Sequence, residues 1–478
     1  MSVGFVRRPL WTSVDAQAAT GGLALGPAWL ASGIAIDTRT LERDDLFVAL
    51  RGDRDGHAFV SNAFARGAAA ALVDDPTLTV EAAGGPLLRV ADSLKALAAM
   101  GVVARARSLA KAIAVTGSVG KTSTKDALRH VLSRQGPTHA AAASFNNHIG
   151  VPVTLARLPV DARFGIFEVG TNHPGEIEPL ARMVRADVAI ITTVQPVHIE
   201  HFGTIDAIMR EKGQIFAGSA GGTAILERDS PHFDALAAIA RGHGVQRIIS
   251  FGEDVAADVR LTACGTDVNG SDVATLVLGR ELRYRVGAPG LHWARDSLAV
   301  LATVEALGAD VGAAAAALAS VSPPAGRGAR RLVALRGGDI ELIDESYNAS
   351  PIAVRAMLSN VAMARPAAGG RRVLVLGDML ELGAEAEAAH VGLAPDIEAA
   401  GVSQVFTCGP NMEKLRAALP ASLRAIHAID SARLAQRVVE GLRAGDVVAV
   451  KGSLGSKMKV VVDAILAMGA VRGGPGKG

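Results

Sequence analysis

The chain has 478 residues, 49% hydrophobic and 4% aromatic, with two cysteines and a formal net charge of +2. This near-balance and the few aromatics exclude a basic or base-stacking nucleic-acid platform, and the distant Cys264 and Cys408 exclude a disulfide framework. No long apolar run and no apolar stretch after Arg7 and Arg8 marks a membrane span or secretion signal, so a soluble cytoplasmic protein of roughly two to four domains is expected.

The first 110 residues mix short strands with alanine-rich helices. Residues 45–50 read as a strand, a helix carrying Phe59, Ala63 and Phe64 follows, and residues 70–73 form a second strand. A helix over 93–108 leads to a boundary near Lys111.

The apolar strand 112–116 runs into Gly117-Ser118-Val119-Gly120-Lys121-Thr122-Ser123, which opens a helix. Glycines let backbone N–H groups turn toward a phosphate, and the helix adds the positive end of its dipole. Lys121 can reach terminal phosphates and the Thr122 hydroxyl can hold Mg²⁺. Val115 stands where the usual phosphate loop has its first glycine.

Two further strands, 164–169 and 187–193, deliver Glu168 and His198 to the same carboxyl edge, where open parallel sheets bind ligands. A glutamate at a strand end is ordinarily a solvated charge; a hydroxyl, a carboxylate and an imidazole converging on a phosphate site can hold a divalent metal. Mg²⁺ prefers oxygen, so His198 is the weakest of these ligands on chemistry alone. On the helix expected over 205–217, Lys212 shares a face with Ile208, Met209, Ile215 and Phe216. It either snorkels, its stem covering apolar surface, or is held inside near the metals, where CO₂ would convert it to an anionic carbamate.

Ser322-Pro323-Pro324-Ala325-Gly326-Arg327-Gly328 reads as a linker. Beyond it, strands at 340–343, 373–376, 404–407 and 446–450 alternate with helices, the pattern of a parallel α/β sheet. Pro351 suits a helix start, with Val354, Met357, Leu358 and Val361 as the apolar stripe. The tail from Gly473 to Gly478 is expected to be disordered.

Several motifs occur in order: Thr116 to Thr122 as T-G-x-x-G-K-T, Asn146-Asn147-His148 to Pro152, and Glu168 to Ile177. Asp344-Glu345-Ser346-Tyr347-Asn348-Ala349-Ser350-Pro351 and Leu376 to Gly383 follow. With these the chain resembles the Mur ligases, ATP-dependent amide-forming enzymes of peptidoglycan synthesis. The resemblance implies an α/β protein of three domains: a smaller N-terminal domain (1–110), a central P-loop parallel-sheet ATPase domain (111–325) and a Rossmann-like C-terminal domain (326–478). It implies ATP and two Mg²⁺ sites, with a UDP-N-acetylmuramoyl-tripeptide and D-alanyl-D-alanine as substrates joined through an acyl phosphate. A monomer is expected.

The resemblance also implies roles. Residues 117–123 would hold ATP phosphates, Thr122 and Glu168 one Mg²⁺, and Glu168, His198 and carbamylated Lys212 a second. Arg327, Asp344, Tyr347 and Asn348 would reach the nucleotide from the C-terminal side. Asn146, Asn147, Asn172 and His173 would meet the muramyl-peptide end. Asp37, Thr38, Arg39, Gly56 and His57 would form the uridine-nucleotide site. Where the family often has His-Asn-x-x-Asn, this chain has His292-Trp293-Ala294-Arg295-Asp296, so adenine is expected to meet backbone and stacking contacts here, with Asp296 accepting from its amino group. Ser350 replaces a commoner asparagine, as an expected helix cap. Two sister activities lack their marks: no Asp-Asn-Pro-Arg run is present, and Ser230-Pro231-His232-Phe233 only superficially resembles Ser-Pro-His-Leu. A regulatory GTPase would need Asn-Lys-x-Asp, which is absent.

Overall fold

The computed structural model describes residues 9–423 and 425–473. Arg7, Arg8 and residues 474–478 of the tail lie outside them, and Gly473 ends a strand, Ala470–Gly473. Among the described residues no helix is long and apolar enough to cross a membrane.

Three main sheets follow one another along the chain. The first has five strands in the order Leu23–Leu25, Leu87–Arg89, Ala70–Val73, Asp45–Val48, Gly33–Ala35, parallel except for the first. The central sheet has nine. Thr138–Ala140, Phe164–Glu168, Lys111–Thr116, Val188–Ile191, Thr223–Glu227 and Arg247–Gly252 run parallel, and Val259–Asp267 joins them in the same direction. Gly270–Val277 and Arg280–Val286 then extend the edge antiparallel. The polar alternation of 259–286 carries no run of apolar residues, so the sequence reading missed this half-exposed edge.

The third sheet runs Ile426–Ala428, Gln404–Cys408, Arg372–Gly377, Val447–Lys451, Gly338–Glu345, parallel throughout. Ala329–Leu335 and Ala470–Gly473 complete it antiparallel. The expected strands at 340–343, 373–376, 404–407 and 446–450 are its buried centre, where near-continuous apolar runs are read most easily. The helix Pro351–Met363 buries Val354, Met357, Leu358 and Val361 as expected. Ser350 occupies its N-cap position, but the hydroxyl makes no capping bond and is buried without a partner. The cap assignment therefore fails at the side chain.

The two outer parts attach to the centre differently. The helix Ser93–Arg107 packs on Gly150–Ala156, and Gly101 permits it: a Cβ there would stand 3.2 Å from the Pro152 carbonyl oxygen. Trp11 is buried, donates from Nε1 to the Ala156 carbonyl (2.9 Å) and lies under the Arg107 guanidinium at 4.1 Å. Val153 and Ala156 belong to the same apolar cluster as Trp11, Leu46 and Leu97, so the first sheet and the centre share a core. The two apolar clusters of the third sheet, by contrast, contain only residues from Val333 onward.

Trp11→Ala should remove one of the two tryptophans of the shared core and cost about 3–5 kcal/mol. Chemical denaturation is expected to show an early transition involving the first sheet, while the third sheet unfolds at its wild-type midpoint.

Candidate functional site

The central sheet collects its functional groups where the carboxyl ends of Lys111–Thr116, Phe164–Glu168 and Val188–Ile191 lie side by side. Gly117 (φ +149°) and Gly120 (φ +85°) bend the chain between the first strand and the helix Lys121–Leu132. A Cβ on Gly117 would stand 1.8 Å from Thr192 Oγ1, so only glycine fits this approach to the neighbouring strand. Thr192 Oγ1 donates to the Val119 carbonyl (2.6 Å), and Ser118 Oγ donates to the Gln195 carbonyl (2.9 Å). The helix starts at Gly120 without a side-chain cap, which leaves first-turn amides for an anion. Ser123 is half-buried in that turn.

Lys121 folds back over the loop, donating to the carbonyls of Gly117 (2.7 Å) and Ser118 (3.3 Å). Desolvation lowers its ammonium to about 8, Glu168 pulls the other way, and Arg327 adds to the lowering. Glu168 is buried; it accepts from Thr122 Oγ1 at 2.9 Å and from Asn146 Nδ2 at 2.8 Å. A hydroxyl and a carboxylate in contact, buried beside a phosphate-type loop, form a hard oxygen pair suited to Mg²⁺. Ser144, absent from the sequence reading, bridges this pair to the linker: its Oγ is 3.1 Å from Thr122 Oγ1 and 3.5 Å from Arg327 Nη2.

Lys212 resolves toward the interior reading. Its helix is shorter than expected, Ile205–Gly213, continuing as a 3₁₀ turn over Gln214–Gly218, and Lys212 is buried on the apolar face. Desolvation drives its ammonium well below the ordinary lysine range, Lys121 lowers it further, and Glu211 opposes. His198 begins the turn Ile199–Phe202, with φ +59°, and Nδ1 pairs with Glu381 of the third sheet's loops. Burial lowers its pKa, Glu381 opposes, and Lys121 and Lys212 add to the lowering. His198, Lys121 and Lys212 thus share one electrostatic neighbourhood.

Two buried charges that sequence reading missed hold the rim in place. Glu211 accepts from the N–H groups of Gly175 (2.8 Å) and Ile177 (2.9 Å), which anchors the loop carrying Asn172 and His173. Lys125 is fully buried and donates to the carbonyls of Ala141 (2.9 Å) and Ala143 (3.3 Å), which fixes the loop carrying Ser144 and Asn146. Its place one helical turn after Lys121 was the available signal.

Other expected residues are engaged locally. Asn147 Oδ1 caps the helix at Gly150 (2.9 Å). Asn172 and His173 are exposed, and the His173 ring lies 4.5 Å from that of His201. Asp344 spends one oxygen on the Gly326 N–H (3.0 Å) and the other on Ser346, so it ties the linker to the third sheet. The Tyr347 ring lies 4.0 Å under the Arg327 guanidinium, and Asn348 Oδ1 accepts from the Ala349 N–H.

The first sheet has its own polar edge. Arg39 doubly bonds the Asp37 carboxylate, which it holds down to about 2, and Thr38 lies between them, half-buried. Arg54, two residues before Gly56, also lowers Asp37. His57 pairs Nδ1 with Asp55 (2.6 Å) and accepts the Asp74 N–H at Nε2 (3.1 Å), so both its nitrogens are committed.

The 292–296 stretch differs from expectation. Trp293 is buried in the central core and cannot stack on a ligand. Asp296 is half-buried beside the phosphate loop, its Oδ1 2.8 Å from where a Gly120 Cβ would stand. Burial raises its carboxyl well above the usual range, and Glu227 raises it further. This favours the protonated carboxyl, which has a donor and an acceptor as an asparagine amide does.

Three family models match the chain. The Mur ligase family catalytic domain covers residues 31–105, the Mur ligase middle domain 115–304, and the Mur ligase glutamate ligase domain 330–454. A UDP-N-acetylmuramoyl-tripeptide–D-alanyl-D-alanine ligase of Escherichia coli strain K12 is 33% identical over 90% of this chain and 93% of its own. The enzyme of that name in Rickettsia prowazekii strain Madrid E is 28% identical over 95% and 99%. A crystal structure of MurF from Acinetobacter baumannii superposes with a TM-score of 0.81 at 27% identity, covering 96% of this chain and 99% of that one.

Asp296→Asn should stabilise the protein increasingly as pH rises. A carboxyl raised on folding favours the folded state below its unfolded pKa and loses that contribution as pH climbs through the folded one. Melting temperatures of the two forms should converge in acid and separate toward alkaline pH; parallel curves would contradict the buried acid.

Proposed function

The chain belongs to the Mur ligase family, and we propose that it joins D-alanyl-D-alanine to a UDP-N-acetylmuramoyl-tripeptide at the expense of ATP, in peptidoglycan precursor synthesis. The observation that carries this reading is the convergence of the loop amides, Lys121, Thr122, Glu168 and buried Lys212 on one sheet edge, with Arg327 reaching it from within the linker.

The amides of residues 117–123 and Lys121 bind the ATP phosphates. Thr122 and Glu168 would hold one Mg²⁺, and Glu168, His198 and Lys212 a second. Bound there, the metal offsets the repulsion between the substrate carboxylate and the γ-phosphate. Burial disfavours the Lys212 ammonium, and the free amine is the form that adds to CO₂ and releases a proton as the carbamate forms. Asp296 and the Arg327–Tyr347 pair serve the nucleotide, with Asp344 and Asn348 shaping the linker end of that pocket. Asn146, Asn147, Asn172 and His173 face the muramyl peptide, and Asp37, Thr38, Arg39, Gly56 and His57 the uridine nucleotide.

The substrate carboxylate attacks the γ-phosphate to give an acyl phosphate and ADP. The amine of D-alanyl-D-alanine then attacks the acyl carbon, and phosphate leaves. Holding both substrates in register supplies much of the rate, and excluding water protects the acyl phosphate. Three domains, 1–110, 111–325 and 326–478, divide this work, with a hinge across 322–330 in a monomeric, cytoplasmic enzyme.

Phosphate release from ATP should require both the UDP-tripeptide and D-alanyl-D-alanine, and mass spectrometry should find the joined pentapeptide. Release with either substrate alone, or with glutamate in place of the dipeptide, would overturn the assignment.

Lys212→Ala should lose most activity and recover part of it with added short carboxylates, which replace the carbamate oxygens. Full activity without any addition would remove the carbamate from the mechanism.

A further inference from the structure

Glu381 takes no part in the roles described so far, yet it makes the most direct polar contact between the third sheet and the reaction centre. Its carboxylate pairs with His198 Nδ1. Six non-glycine residues among those described have positive φ, and two of them, His198 (+59°) and Glu381 (+63°), touch each other. Non-glycine residues hold this conformation only where surrounding structure enforces it.

That enforcement is visible on both sides. Before Glu381, Asp378 caps the helix Pro410–Ala418 through the Met412 N–H (2.9 Å), and its carbonyl accepts from Ser456 Oγ (2.8 Å). The Met379 N–H donates to His390 Nε2 (2.9 Å), and the Leu380 N–H to Ser453 Oγ (2.9 Å). After it, Leu382 is buried in the third sheet's core. Glu381 is therefore a fixed projection of its own domain. On the other side, His198 starts a turn anchored by buried Phe202, and Gly383 seats against it: a Cβ there would stand 3.7 Å from Glu200 Cα.

We propose that Glu381 is the positioning residue for His198, and that its arrival on Nδ1 couples closure of the C-terminal domain to completion of the reaction centre. Accepting the Nδ1 proton fixes the ring's rotation and tautomer and leaves Nε2 for the centre, as carboxylates behind ligating histidines do. When the domain swings away, His198 loses that acceptor. The enzyme is then assembled only when closed, which restricts acyl phosphate formation to a water-excluding state. This inference rests on the ligase reading, in which His198 belongs to the reaction centre.

The test uses the full-length enzyme, with Glu381→Ala and Glu381→Gln. Both substitutions are at a partly exposed side chain, and unchanged melting temperatures would verify the fold. In the alanine variant kcat should fall by about 10- to 100-fold, as for lost partners of ligating histidines, with KM for the UDP-tripeptide unchanged. The glutamine variant should recover most of kcat, because its carbonyl oxygen accepts the same proton. Small-angle scattering with a non-hydrolysable ATP analogue and UDP-tripeptide should show wild type contracting and the alanine variant contracting less. An unchanged kcat in the alanine variant, a glutamine variant as slow as alanine, or equal contraction in all three would each overturn the proposal. Failure of wild type to form the amide bond would instead defeat the ligase reading itself.

Discussion

The site is organised by an excess of positive charge where water is largely excluded. Lys121 and Lys212 occupy the same sheet edge, and burial lowers both, Lys212 further through Lys121. Glu168 is the carboxylate among them, and Thr122 and Asn146 already use its oxygens. Such an arrangement is unfavourable alone and becomes favourable when an anion enters. Lys125 shows the contrast. It is as deeply buried, but two carbonyls accept its protons and Asp126 lies 3.3 Å away, so it is a satisfied structural cation. Among the described residues no hydrogen bond reaches Lys212 Nζ. One lysine fastens a loop; the other is left chemically available.

Packing divides the molecule along the same logic. The first sheet is fused to the centre by Trp11, Val153 and Ala156 in one apolar cluster, with Arg157 donating to the Ile34 carbonyl at 2.7 Å. Its polar edge therefore keeps a fixed relation to the phosphate loop. The third sheet meets the centre through Arg327, Glu381 and small close approaches such as Gly290 beside Asn360. Removing an apolar cluster from contact would expose surface at each opening, whereas these part-buried polar contacts can be replaced by hydrogen bonds to water.

The phosphate loop, Glu168, Lys212 and the parallel strands were legible because each depends on a local pattern: a glycine spacing, a strand end, a helical face. The edge strands 259–286 were not, because half-exposed alternating segments resemble loops when nothing is known of their partner. The direction of Trp293 and the failed cap at Ser350 were not legible for a related reason. A motif position says which residue lies near a ligand in relatives, but the direction of a substituted side chain is decided by packing; Trp293 turns into the core and Ser350 is buried without its capping bond. Glu211 and Lys125 act on backbone groups and Ser144 on side chains far away in sequence, and apart from the helical spacing of Lys125 from Lys121 no pattern exposes such contacts. Glu381 sat inside a quoted motif, yet its partner is 183 residues away.

That separation explains why so much structure supports a single polar contact. A flexible glutamate on a flexible loop would reach His198 in both open and closed states and would report nothing about closure. Clamping Met379 to His390 and Leu380 to Ser453 removes that freedom, and the left-handed backbone at Glu381 directs the side chain outward from a rigid base. The same conformation at His198 makes the receiving side equally fixed. Two strained residues meeting across a sparse, polar interface form a position-sensitive contact, made in one domain arrangement and absent in others. Rigidity within each domain is thus what allows motion between them to control the chemistry.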